Sequence, residues 1–126
     1  MAERGKVLIV DDEEDFATTL AERLTLRGYD VRVEKDGEAA LAALDSDPPD
    51  VVVLDVKMPG IGGFEVLSRI KVERPQLPVI LLTGHGDAKD GMKGMELGAY
   101  DYLVKPIDII DLTEKMDAAI RTSQTQ

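Results

Sequence analysis

Five short apolar runs recur along the chain at wide spacing: Val7 to Val10, Tyr29 to Val33, Val51 to Leu54, Val79 to Leu82 and Tyr100 to Val104. Three of them are continuous rather than alternating, which is how a strand covered on both faces reads. The segments between them carry helical periodicity. Phe16, Leu20 and Leu24 recur every four residues and stop at Gly28, while Phe64, Leu67 and Ile70 recur every three and stop before Pro75. Ile109, Leu112, Met116 and Ile120 repeat the pattern near the end, and Ala39 to Leu44 fills the second gap with strong helix formers. The fourth gap differs, because five of the 11 glycines fall between Gly84 and Gly98. Each glycine inside a helix weakens it by roughly 1 kcal/mol relative to alanine, so this helix is expected to be the least stable, with Met92 and Met95 as its packing residues. Strand followed by helix, five times over, predicts a doubly wound α/β fold with a parallel sheet and right-handed crossovers.

At 126 residues there is chain for one core, so residues 1–126 are expected to form a single domain, with its body at about 6–121 and a polar tail at 122–126. Apolar residues are 44% and charged residues 32%, which suits a compact globule. The absence of cysteine excludes disulfides, thiolate zinc sites and cysteine nucleophiles. No apolar stretch approaches the ~20 residues of a membrane helix, and Met1-Ala2-Glu3-Arg4 lacks the apolar core of a signal peptide, so a cytoplasmic location with no membrane contact is expected. Twenty-five acids against 15 bases leave a formal charge of -10, the wrong sign for gripping a phosphate backbone, which argues against direct nucleic-acid binding by this chain. Half of that excess sits in one run, Asp11-Asp12-Glu13-Glu14-Asp15, directly after the first strand.

Ligands of open parallel sheets bind at the carboxyl ends of the strands. The first strand ends in Asp11-Asp12, the third in Asp55, the fourth in Thr83 and the fifth in Lys105. In a flavodoxin-like strand order these groups converge on one shallow pocket. Three carboxylates held together repel by about 1 kcal/mol per pair at 4 Å in water, and by about 4 at an effective dielectric of 20. A hard divalent cation with oxygen ligands compensates, which points to Mg²⁺, with Mn²⁺ as a substitute. An aspartate nucleophile, a metal, a hydroxyl and a fixed cation are the parts that phosphoryl transfer uses.

Four segments together resemble the receiver domain of bacterial two-component response regulators. They are Val7-Leu8-Ile9-Val10-Asp11-Asp12-Glu13, Pro49 to Gly60 followed by Gly63-Phe64-Glu65, Leu82-Thr83-Gly84-His85-Gly86, and Gly98 to Pro106. The resemblance implies a flavodoxin-like sheet in the order 2-1-3-4-5 with five helices. It implies that Asp55 accepts a phosphoryl group from a sensor histidine kinase or a phosphotransfer protein, and that the domain returns it by self-catalysed dephosphorylation. Asp12, Asp55 and the backbone carbonyl of Lys57 would hold Mg²⁺, with Asp11 acting through a metal-bound water. Lys105 would pair with Asp55 and then with the phosphoryl oxygens, and the Thr83 hydroxyl would turn toward the phosphate. Tyr102 would follow Thr83 as a switch aromatic, and Gly63 with the glycines before it would shape the turn beside the site. Lys105-Pro106 would be cis, and Lys57 and His85 would flank the hydrolytic water and tune phosphate lifetime. The output would pass through the fourth helix, fifth strand and fifth helix to an output domain, a partner protein or a second copy.

Plainer readings stand beside these. Asp11-Asp12 suits a helix N-terminus, and both readings can hold at once; Glu13, Glu14 and Asp15 are accounted for by the helix start. Asp55 would begin a loop before Pro59-Gly60, Lys105 would be a solvated lysine, Thr83 would satisfy local backbone, Tyr102 would be packing, and His85 an exposed loop residue. The competing function is a phosphorylation-independent receiver-like adaptor, against which the intact set Asp11, Asp12, Asp55, Thr83 and Lys105 speaks. A haloacid dehalogenase-type phosphatase needs an acid where Lys57 stands, and an FMN carrier needs a phosphate loop where the acids follow Val10.

Overall fold

The computed structural model describes residues 4–84 and 88–124. Five strands, β1 (Gly5–Val10), β2 (Tyr29–Glu34), β3 (Val51–Asp55), β4 (Val79–Thr83) and β5 (Asp101–Val104), alternate with five helices. The helices are α1 (Glu14–Leu26), α2 (Gly37–Ser46), α3 (Gly63–Glu73), α4 (Ala88–Glu96) and α5 (Ile109–Gln124). All neighbouring strands are parallel, and the sheet order is β2-β1-β3-β4-β5. This is the expected doubly wound arrangement.

The burial of each strand follows its position. β3 and β4 are buried along their whole length, as is β1 from Val7 to Val10, whereas the edge strands β2 and β5 are only partly covered. One face of the sheet packs Val7, Ile9, Val51, Val53, Ile80 and Leu82 against α1 and α5. The other packs Leu8, Val10, Val52, Leu54, Val79 and Leu81 under α2 and α3. Successive side chains of a strand point to opposite faces, so an uninterrupted apolar run fills both cores at once.

Two sequence readings need correction. Met92 and Met95 do not pack the fourth helix: they are 63% and 43% exposed, and α4 turns Gly91 and Gly94 inward instead. The reason is close approach. A Cβ on Gly94 would stand 1.9 Å from Leu81 Cδ1, and one on Gly91 would meet the Tyr102 ring at 2.4 Å. The two glycines that weaken the isolated helix are those that let it lie flat on β4 and β5. The second correction concerns element ends: β5 begins at Asp101 rather than Tyr100, and β1 reaches back to Gly5.

Candidate phosphoacceptor site

Each site residue lies at or just beyond the end of a strand and is held there by backbone bonds to a neighbour. Asp11 N–H donates to Glu34 O at 3.1 Å, Val56 N–H to Leu82 O at 3.1 Å, and Lys105 N–H to Thr83 O at 2.8 Å. Together with the pairing of β1 on β3, where Val10 lies beside Leu54, these bonds set the ends of β1, β3, β4 and β5 on one edge, so Asp11, Asp55, Thr83 and Lys105 share it as anticipated. Gly63 also lies beside Asp55: its N–H donates to Val56 O at 2.9 Å, and a Cβ there would fall 2.4 Å from the Asp55 carbonyl oxygen. Only glycine fits so close to that carbonyl, which gives the turn from β3 into α3 its shape.

One oxygen from each of Asp11, Asp12 and Asp55 lies within 4.8 Å of the others. Asp11 and Asp55 are buried, whereas Asp12 is exposed. Burial and the neighbouring Asp11 push the Asp55 carboxyl up to about 6, against the opposing pull of Lys105. Burial likewise raises Asp11, although the Glu13 N–H at 2.9 Å and the Lys105 ammonium at 3.1 Å counter it. Two desolvated acids and a third beside them form an all-oxygen donor set whose charge repels itself, which fits a hard divalent cation.

Lys105 follows a fold-level constraint as well as a charge. The Lys105–Pro106 peptide is cis, and its ammonium sits among three acids: Glu13 Oε1 at 2.6 Å, Asp11 Oδ2 at 3.1 Å and Asp55 Oδ1 at 3.6 Å. It also lies 4.3 Å from the centre of the Phe16 ring, within cation–π range. Burial pulls this amine down, but the bonds to Glu13 and Asp11 and the charges of Asp11 and Asp55 together outweigh it and leave the pKa above the ordinary lysine value. Glu13 and Phe16 are the contacts that sequence reasoning missed. A helix start accounts for an acid at position 13, but Glu13 stands at the N-cap of α1 without a side-chain capping bond, and its carboxylate reaches Lys105 instead. A signal existed in the spacing, since residues three apart at a helix start face the same way.

Thr83 Oγ1 is fully buried and, among the described residues, is the buried side-chain polar atom with no hydrogen-bond partner. An unpaired buried hydroxyl costs about 1–3 kcal/mol. The reading of Thr83 as a residue serving local backbone is therefore set aside. Tyr102 is half-buried on β5, with its ring against Gly91 of α4. Lys57 is exposed two residues past Asp55, and His85 lies outside the described residues. Beside the acids, a cleft of about 660 Å³ between α1 and the segment after β5 is lined by Phe16, Leu20, Arg23, Lys105, Ile107 and Ile109. No described helix is long and apolar enough to cross a membrane.

Residues 7–117 match the family model described as the response regulator receiver domain. The chain is 38% identical over 119 residues to the alkaline phosphatase synthesis transcriptional regulatory protein PhoP of Bacillus subtilis, covering 94% of this chain and 50% of that protein. It is 41% identical over 116 residues to the transcriptional regulatory protein TcrA of Mycobacterium tuberculosis, covering 92% of this chain and 46% of that protein. The chain thus spans about half the length of the curated relatives it matches. Among solved structures, a response regulator receiver domain protein from Clostridium thermocellum superposes with a TM-score of 0.90 at 33% identity, covering 95% of this chain and 97% of that one. The receiver domain of NtrX from Brucella abortus gives 0.88 at 34% identity, covering 92% and 98%.

Proposed function

Because this chain belongs to the response regulator receiver domain family and is a signalling domain of two-component systems, we propose that it accepts a phosphoryl group on Asp55 from a histidine kinase or phosphotransfer protein. The observation that carries this reading is the convergence of the Asp11, Asp12 and Asp55 oxygens within 4.8 Å, with the Lys105 ammonium 3.6 Å from Asp55. An Asp55 oxygen attacks phosphorus, a new O–P bond forms, and the P–N bond to the donor imidazole breaks with its electron pair leaving on nitrogen. Asp11, Asp12, Asp55 and the Lys57 carbonyl would hold Mg²⁺, which would offset the charge of the acids and of the incoming phosphoryl. Lys105 carries a positive charge to the phosphoryl oxygens. The Thr83 hydroxyl, unpartnered at rest, donates to one of them, and Tyr102 leaves the Gly91 surface to follow it.

The cleft between α1 and the segment after β5 opens beside the acids and is lined by the apolar Phe16, Leu20, Ile107 and Ile109 together with charges of both signs, Glu13 and Asp15 against Arg23 and Lys105. It suits the surface of a phosphodonor protein. Lys57 and His85 would flank the water that returns Asp55 to its free state. The output would run through α4, β5 and α5, where Met92, Met95, Val104 and Ile110 are exposed, to an output domain, a partner or a second copy. Incubation with acetyl phosphate and Mg²⁺, followed by intact mass measurement, should show a gain of one phosphoryl group that Asp55→Asn abolishes. No gain, or the same gain in the variant, would refute the assignment.

A further inference from the structure

Glu13 competes with Asp11 and Asp55 for the lysine of this site, and the inference drawn from it rests on Asp55 being the phosphoacceptor. Glu13 ends the strand-to-helix turn at the N-cap of α1, a position that favours a side chain able to accept from the first helical N–H groups. Its carboxylate makes no such bond. It accepts from Lys105 Nζ at 2.6 Å, closer than Asp11 at 3.1 Å and well inside Asp55 at 3.6 Å. Phe16, three residues further along the same helix start, places its ring 4.3 Å from the same ammonium. Both contacts come from one element and both draw the ammonium toward α1. Among the described residues, the three acids whose oxygens lie within 4.8 Å of one another are Asp11, Asp12 and Asp55, and Glu13 is not one of them.

We propose that Glu13 is a positioning residue that holds Lys105 at a resting station beside α1, from which the ammonium passes to the phosphoryl oxygens once Asp55 is modified. No covalent bond is involved; one ion pair replaces another. The driving force is the charge on Asp55, which rises from about -1 to about -2 when the acyl phosphate forms and so outbids the single charge of Glu13. Glu13 thereby opposes the phosphorylated state and limits how strongly that state is held.

The test is the affinity for beryllofluoride with Mg²⁺, followed by amide NMR, in the parent chain, Glu13→Gln and Glu13→Asp, each repeated with Lys105→Ala. Glu13→Gln should tighten binding roughly two- to fivefold, the scale of one partly exposed ion pair. Glu13→Asp keeps the charge but lacks the reach, and should tighten it similarly. Neither change should appear with Lys105→Ala. Unchanged affinity in Glu13→Gln overturns the proposal, and so does an equal gain without Lys105, since Glu13 would then act only as a distant charge. The Lys105 ammonium proton signal, read with no ligand present, should shift in Glu13→Gln; a signal identical to the parent's also overturns it. Failure of the parent to bind beryllofluoride or to take up phosphate would refute the phosphoacceptor reading and the transfer with it. The ammonium signal would still decide the resting contact.

Discussion

Asp55 carries a cost at rest that its chemistry removes. Its folded carboxyl titrates near 6, above the ordinary range, so the folded state holds the proton more tightly than the unfolded chain does. A raised acid stabilises the fold below the unfolded value, and that contribution is lost as pH climbs through the folded value of about 6. In metal-free buffer Asp55→Asn should therefore be more stable than the parent near pH 7, by on the order of 1–3 kcal/mol, and close to it near pH 4. Urea unfolding at the two pH values checks the sign. Thr83 makes the complementary case. Thr83→Val removes a hydroxyl that has no partner and should leave resting stability equal to or above the parent's by up to about 1 kcal/mol. It should also abolish the beryllofluoride-induced amide shifts along β5 while Asp55 remains phosphorylatable. Loss of resting stability by about 2 kcal/mol would mean that the hydroxyl is paired.

In α4 the buried face consists of Gly91 and Gly94, and Met92 and Met95 lie outside it. Glycine lowers helix propensity wherever it stands, and the usual remedy, Gly→Ala, stabilises an exposed helix by up to about 1 kcal/mol. Here the sign should reverse at Gly94, because the added methyl would fall 1.9 Å from Leu81 Cδ1, a side chain that is itself fully buried. Gly94→Ala should cost about 1–3 kcal/mol by overpacking, measured by urea unfolding. Methionine is a common core filler, but glycine occupies the inward face of α4 and leaves Met92 and Met95 on the surface. A one-dimensional pattern identifies an amphipathic helix by its large apolar residues. It is blind to a helix whose buried face consists of the smallest ones.

For the whole molecule, the acidity read from composition divides into a site and a surface. The acids that converge at the sheet edge should bind Mg²⁺ only in the folded state, so the ion should raise the thermal midpoint, with a gain in stability of about 2.7 kcal/mol at a hundredfold excess over Kd. Asp12→Asn combined with Asp55→Asn should lose most of that gain in calorimetry, and chelation should reverse it. Elsewhere the charges pair across the fold. Arg4 meets Asp117, which also accepts from the Tyr29 hydroxyl at 2.6 Å, and so joins the start of β1 and of β2 to α5.

The sequence alone determined the alternation of elements, the parallel sheet and the acids, hydroxyl and ammonium at its carboxyl edge. Each of those is a local fact about where an apolar run stops, and a parallel sheet sends every such stop to the same side. Only the tertiary structure decided which acid holds Lys105, why Thr83 is left unpaired and which glycines are indispensable. Lys105 and Asp11 stand 94 residues apart in the chain. Which oxygen the ammonium meets first depends on differences of about half an ångström, set by the packing of helices against both faces of the sheet, and no spacing along the chain encodes that distance.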